Sequence, residues 1–305
     1  MSQAKFVEDA GIEVQRDDVQ GEKNRLGRGL TRGDDLSQPL TAIGQGKKVL
    51  IVAPQPFYQD RGTPIAIKYV LLALTELGYE VDLLTYPLGE TIPIDGVRYL
   101  RLSNPLKFDH VPVGFSWQKV FLDILLAARL PFVLRRQSYA YIHAVEEAAY
   151  LTVLYRPWHK TRILYDMASS IPEQLQINPT FRSLRLLSLF NWMEKWLLRR
   201  VDLVVASAGL GGIVRRLSPK TPMHEWSFPS QAPVVPHESI EALRSELGFD
   251  KDDKVIVYTG TFEAYQGVDD IVAAMPLVLA QSPSAKFVLI GATEQKHIDA
   301  LKAKV

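Results

Sequence analysis

The chain of 305 residues carries a formal net charge of +1, is 47% apolar and contains no cysteine. That balance describes a globular protein of one large or two ordinary domains, and it excludes a nucleic-acid binder working through a field of one sign. Without cysteine there is no disulfide, thiolate nucleophile or Cys-ligated zinc, and no apolar run reaches the ~18 residues that a membrane span needs.

Taken in chain order, residues 1–46 are nearly free of aromatic residues and mix opposite charges closely, as in Arg16-Asp17-Asp18. Such a stretch buries too little surface to offset its ordering entropy, so a mobile tail is expected, and its charge does not fit a signal peptide. Lys47 to Ala53 then reads as a strand buried on both faces. The loop from Pro54 to Thr63 leads into a helix with Thr63 as N-cap, Pro64 at its first position and Gly78 as its stop. A second strand runs from Glu80 to Tyr86, which completes a βαβ unit, and a half-exposed strand covers Val97 to Leu102.

A long helix is expected from Ser116 to Arg136, with Val120, Phe121, Ile124, Leu125, Ala128 and Phe132 as its apolar stripe and a kink at Pro131. Strands follow at Tyr139–Val145, Thr161–Asp166 and Val201–Ser207, with helices between them at Ala148–Tyr155 and Arg182–Arg200. The run Gly209-Leu210-Gly211-Gly212 reads as a turn opening a helix to Leu217. Strand–helix alternation over residues 47–218 predicts a doubly wound parallel sheet of Rossmann-like type. Five prolines between Pro219 and Pro236 mark a linker over 219–238. Residues 239–305 begin a second α/β domain with strands at Lys254–Tyr258 and Lys286–Ile290; the expectation is an incomplete domain, since two strands make a poor sheet.

Candidate chemistry gathers at strand ends, where open α/β sheets bind ligands. The first loop has a single glycine, Gly62, so no dinucleotide fingerprint is present. One glycine before a helix N-terminus still makes an anion site, or it makes only the turn. His143 is either a satisfied core residue or a site group, and Glu146 lies three residues on at a helix start. Asp166 either caps the turn at Ser169 and Ser170 or faces a substrate. Arg135-Arg136 and Arg199-Arg200 end their helices, where cations favour the dipole. The apolar, aromatic helix at 182–200 offers a membrane surface as the alternative use of such cations. The histidines lack metal-ligand spacing and there is no G-x-S-x-G elbow, so neither a metal site nor a hydrolase nucleophile is expected.

The runs Lys48-Val49-Leu50-Ile51-Val52, Arg61-Gly62-Thr63-Pro64 and Leu74-Thr75-Glu76-Leu77-Gly78-Tyr79-Glu80-Val81 resemble the opening of family 4 glycosyltransferases. Ile142 to Ala148, Tyr165 to Ser170, Leu203 to Ser207, Val257 to Phe262 with Tyr265 to Asp269, and Phe287 to Gly291 resemble later motifs of that family, in the right order. The resemblance implies two facing Rossmann-like domains, the GT-B arrangement, and retaining sugar transfer from a nucleotide-sugar donor to a glycan or lipid-linked acceptor. It implies no metal and no cofactor, the nucleotide sugar being substrate. By the same resemblance Asp166, His143 and Glu146 would be catalytic. Arg61, Gly62, Thr63, Gly260, Thr261, Gln266 and Gly267 would bind donor and acceptor.

Departures stand beside it. Many members carry a basic residue where Thr261 or Gln266 stands, and a His where Asp166 stands. The family's paired-glutamate motif has no counterpart here, so weak or no activity is expected of the chain alone. A non-catalytic acceptor-binding module working with a partner subunit, and a nucleotide-sugar epimerase of the same fold, are the competing readings. A cytoplasmic protein is expected, in peripheral contact with the inner face of a membrane through 182–200.

Overall fold

The computed structural model describes residues 4–7, 43–112, 116–173, 184–226, 235–260, 262, 266–291 and 295–303. The chain divides into two compact units, one of Gly33–Pro229 and one of Met1–Arg32 with Ser230–Val305.

The first unit is built on a seven-stranded parallel sheet in the order β4-β3-β2-β5-β6-β7-β8. After β1 (Ala4–Val7), which belongs to the other unit, its elements begin with β2 (Lys48–Ala53), α1 (Gly62–Glu76), β3 (Glu80–Thr85) and β4 (Val97–Arg101). Next come α2 (Trp117–Arg136), β5 (Tyr141–Val145), α3 (Ala148–Leu154), a 3-10 turn at Arg156–Trp158, and β6 (Arg162–Met167). The unit closes with α4 (Leu184–Leu198), β7 (Leu203–Ala206), α5 (Ala208–Leu217) and β8 (Met223–Glu225).

Alternation along the strands sorts the core onto two faces. Val49, Ile51 and Ala53 of β2 pack with Ile67, Leu71 and Leu74 of α1. Leu50 and Val52 turn the other way, into a larger core that takes in Leu122, Leu126 and Leu130 of α2, along with α3, α4 and α5. Both faces of the central strands are therefore covered, and their near-continuous apolar runs follow from that.

Several elements differ from the sequence expectation. The helix after the first loop starts earlier: Arg61 is the N-cap of α1, and Pro64 lies in its first turn, where a missing N–H costs nothing. Gly78 (φ 86°) does end the helix, with Tyr79 N–H reaching the Leu74 carbonyl as a Schellman cap requires. In α2 the buried face is Leu122, Leu126, Leu130 and Val133, not the expected stripe, because this helix is apolar nearly all round and periodicity cannot choose a side. The Gly209–Gly212 run is the first part of α5 rather than a turn; Gly211 lets the helix approach Glu225, whose carboxylate a Cβ would strike. Within the expected linker, Met223–Glu225 pairs with β7 and closes the sheet, satisfying backbone groups that a bare edge leaves open.

The second unit holds β9 (Lys254–Thr259) and β10 (Ala285–Ile290), with α6 (His237–Glu246), α7 (Val268–Gln281) and α8 (Gln295–Lys302). Its sheet has three strands, β1-β10-β9, all parallel. β1 falls in the stretch expected to be a tail; pairing along β10 gives its backbone a ladder that no side-chain pattern announces. The rest of that stretch up to residue 42 lies outside the described residues. Phe262, Val268, Val272, Met275, Phe287 and Leu289 form the core of this unit.

Candidate active site at the carboxyl edge of the sheet

All seven strands of the larger sheet are parallel, so the segments leaving β2, β3, β5 and β6 share one edge. At β2 this segment is the loop into α1. The N-terminus of α1 has no side-chain cap and no acid in its first turn, so the N–H groups of Gly62 and Thr63 are free to meet an anion. A Cβ on Gly62 would meet nothing within 4 Å, so its lack of a side chain keeps that approach open. The half-buried Arg61 makes no ion pair among the described residues. In the same loop Gln55 Nε2 and Gln59 Oε1 are buried without a hydrogen-bond partner among the described residues, a cost that a ligand's polar groups would relieve.

His143 and Asp166 are brought together. Register sets Val145 beside Asp166 and His143 beside Leu164, and both side chains point to the α1 face of the sheet. Their Nε2···Oδ2 separation is 3.0 Å at 6% and 5% exposure, so each is the other's polar partner. Asp166 therefore does not cap the turn after β6; there Ser170 Oγ donates to Glu194 on α4 instead.

Glu146 follows β5 directly, in a left-handed conformation (φ 50°) that a non-glycine residue holds only under constraint. Its N–H donates to the Asp166 carbonyl at 3.0 Å, which ties the end of β5 to β6. Burial first, then the charge of Glu147, pushes the Glu146 carboxyl up to about 7, with Lys119 opposing.

Sequence reasoning missed the other half of this cluster. Lys119 and Asp123 sit four residues apart in the first turns of α2 and both face the edge. Lys119 Nζ pairs with Glu147 Oε1 at 2.5 Å. Burial alone would lower that ammonium, yet Glu147, with Glu146 and Asp123 behind it, holds it above its ordinary value. Tyr86, fully buried at the end of β3, donates its O–H to Asp123 at 2.5 Å. Burial pushes Asp123 up to about 6 in spite of that bond. Glu194, also buried, is pushed up to about 7 by desolvation. The available signal was a polar pair at i, i+4 inside an apolar helix, and a lone acid between Trp192 and Trp196. An edge that carries an uncapped helix N-terminus after one strand, and after others an ammonium with the raised carboxyls Glu146 and Asp123 around it, has groups able to hold an anion and to move a proton.

In the second unit, Gly260 and Gly267 lie at the carboxyl end of β9. Gly260 (φ 155°) donates its N–H to the Ile290 carbonyl, and Gly267 (φ 72°) is the N-cap of α7, with half its first turn acidic through Asp269 and Asp270. Gln266 is exposed next to it, and Thr261 lies outside the described residues. No cluster of three or more metal-ligating side chains occurs among the described residues.

A family model described as glycosyl transferases group 1 matches residues 239–305. Among solved structures, the chain is similar to the sucrose-phosphate synthase of Thermosynechococcus elongatus (TM-score 0.64, 17% identity, 85% of this chain and 67% of that one). The fold is of the GT-B type. An α,α-trehalose-phosphate synthase (UDP-forming) from Burkholderia vietnamiensis matches at TM-score 0.54 and 12% identity, over 86% of this chain and 69% of its own. An E. coli structure described as trehalose-6-phosphate bound with UDP-2-fluoro glucose matches at 0.52 and 13%, over 85% and 67%. No curated protein matches the chain.

Proposed function

We propose that the chain is a retaining glycosyltransferase of hexosyltransferase type, moving a sugar from a nucleotide-sugar donor to a glycan or lipid-linked acceptor. The observation that carries this reading is the carboxyl edge of the larger sheet, which holds both an uncapped helix N-terminus after β2 and, after the neighbouring β5, a carboxyl group raised toward neutrality. The family match over 239–305 supports it from the other unit.

Gly62 and Thr63 N–H and the Arg61 guanidinium receive the donor diphosphate and stabilise the charge it gains on leaving. The bond from the anomeric carbon to the diphosphate oxygen breaks while a bond to the acceptor oxygen forms. The acceptor hydroxyl proton passes to Glu146, whose raised pKa suits a base working near neutral pH. His143 holds Asp166 in place, and Asp166 orients the sugar. Gly260, Thr261, Gln266 and Gly267 are kept as the nucleotide-binding candidates of the second unit by their resemblance to the family's motif. The reading needs no metal or further cofactor, and it places the work in the cytoplasm, with a membrane-borne acceptor as the class most in keeping with the surface described below.

The raised carboxyls Glu146 and Asp123 favour a second reading, epimerisation of the nucleotide sugar by an acid and a base. Incubation with a panel of UDP-, GDP- and dTDP-sugars separates the possibilities. Transfer requires acceptor and gives a product whose anomeric configuration, read by NMR, matches the donor. Epimerisation proceeds without acceptor, whereas a binding module does neither. Donor turnover that never depends on acceptor would overturn the transferase assignment.

A further inference from the structure

The larger unit has an outward face that the candidate site does not use. On α2, Trp117, Val120, Ile124 and Phe132 are exposed, with Ile124 at 61%. Leu154 of α3 and Trp158 of the following turn are exposed too, Trp158 at 67%. So are Leu189 and Trp192 of α4, which fall on one stripe with Trp196.

These helices form one layer. Tyr155 O–H donates to the Ala127 carbonyl of α2 at 3.1 Å, and Leu154, Arg156 and Pro157 share a hollow with Trp196 and Arg200. Scattered exposed apolar residues need no explanation, but eight large ones on adjoining helices do.

Among the described residues, the exposed charges carried by α2 and the end of α4 have one sign, while Asp202 pairs with Arg156 beside the hollow. Arg129, Arg135, Arg136, Arg199 and Arg200 are exposed, and the acids of α2 and α4, Asp123 and Glu194, both turn inward to Tyr86 and Ser170. The Arg200 guanidinium lies over the Trp196 ring at 4.6 Å and donates through Nη1 to the Trp196 carbonyl at 3.2 Å, a cation held on a half-buried aromatic.

We infer that this layer seats the protein on an anionic lipid bilayer. Aromatic and aliphatic side chains enter the headgroup boundary while the arginines meet lipid phosphates. A second copy of the chain is the poorer occupant, since two faces of the same positive sign repel each other. The expectation from sequence put membrane contact on 182–200 alone; α2 supplies half of the apolar anchors. The inference rests on this surface and not on the transfer reaction, so either can fail without the other.

The test is flotation of the full chain with phosphatidylcholine vesicles, with and without phosphatidylglycerol, across a salt series. Wild type should float only with the anionic vesicles and be released by salt, and its tryptophan emission should shift to the blue on binding. Arg135→Gln and Arg136→Gln should each weaken binding about fivefold. The pair Ile124→Ser with Phe132→Ser should abolish the emission shift while leaving the circular dichroism melt unchanged. Absence of wild-type binding to anionic vesicles overturns the inference. So does binding indifferent to these substitutions, or self-association in solution that the serine pair removes.

Discussion

Burying a carboxylate costs free energy unless a partner holds it, and Glu146 and Asp82 solve this differently. Asp82, 1% exposed in β3, accepts from Arg98 Nε and Nη2 at 2.8 and 2.6 Å and from Tyr139 O–H at 2.7 Å. That is a structural ion pair, and Arg98→Ala, which leaves Asp82 with one partner, should destabilise the unit by about 2 kcal/mol in urea unfolding. Glu146 instead keeps part of its cost as a pKa of about 7. Between about pH 4.5 and 7 the folded chain holds this proton more tightly than the unfolded chain, so stability falls as pH rises through that window. Glu146→Gln should therefore leave the melting temperature unchanged near pH 5 and raise stability at pH 8 by on the order of 2 kcal/mol. A variant that melts earlier than wild type at pH 8 would show that Glu146 is held by contacts rather than penalised by burial.

At the scale of elements, two glycines near the same loop answer to different demands. Gly89 has φ 100°, and a Cβ there would lie 2.6 Å from the Phe57 backbone, where the segment after β3 pairs with the loop after β2. Gly89→Ala should cost about 2–3 kcal/mol of stability, measured by denaturant titration. Gly62 meets open space, so Gly62→Ala should fold normally and melt no earlier than wild type, since Ala favours a helix by up to about 1 kcal/mol. Donor binding is where the change should register, as a raised KM for the nucleotide sugar.

This contrast also marks what residue patterns could reveal. Apolar runs such as Lys48–Ala53 announce parallel strands because burial on both faces leaves no alternation to disguise them. Glu146 and Asp166 were legible as strand-end residues, whereas His143, expected at a strand end, stands in the middle of β5. Lys119, Asp123 and Tyr86 were not legible, since α2 has apolar residues nearly all round and which face turns inward depends on packing against distant strands. β1 and β8 were hidden for a related reason: three- and four-residue strands carry too little pattern, and the register of a neighbour creates them.

For the molecule as a whole, the parallel sheet matters because it collects unrelated segments on one edge. The 61–63 helix start, the Glu146–Glu147 corner, Asp166 and the polar turns of α2 lie far apart in sequence and come to one edge only through strand order β3-β2-β5-β6. The measurement that bears most directly on this account is kcat for nucleotide-sugar turnover in Glu146→Gln and Asp166→Asn, each shown to be folded by its melt. Loss of about a hundredfold or more in both, with donor affinity little changed, is the predicted result. Wild-type kcat in both variants would contradict it and move the chemistry away from this edge.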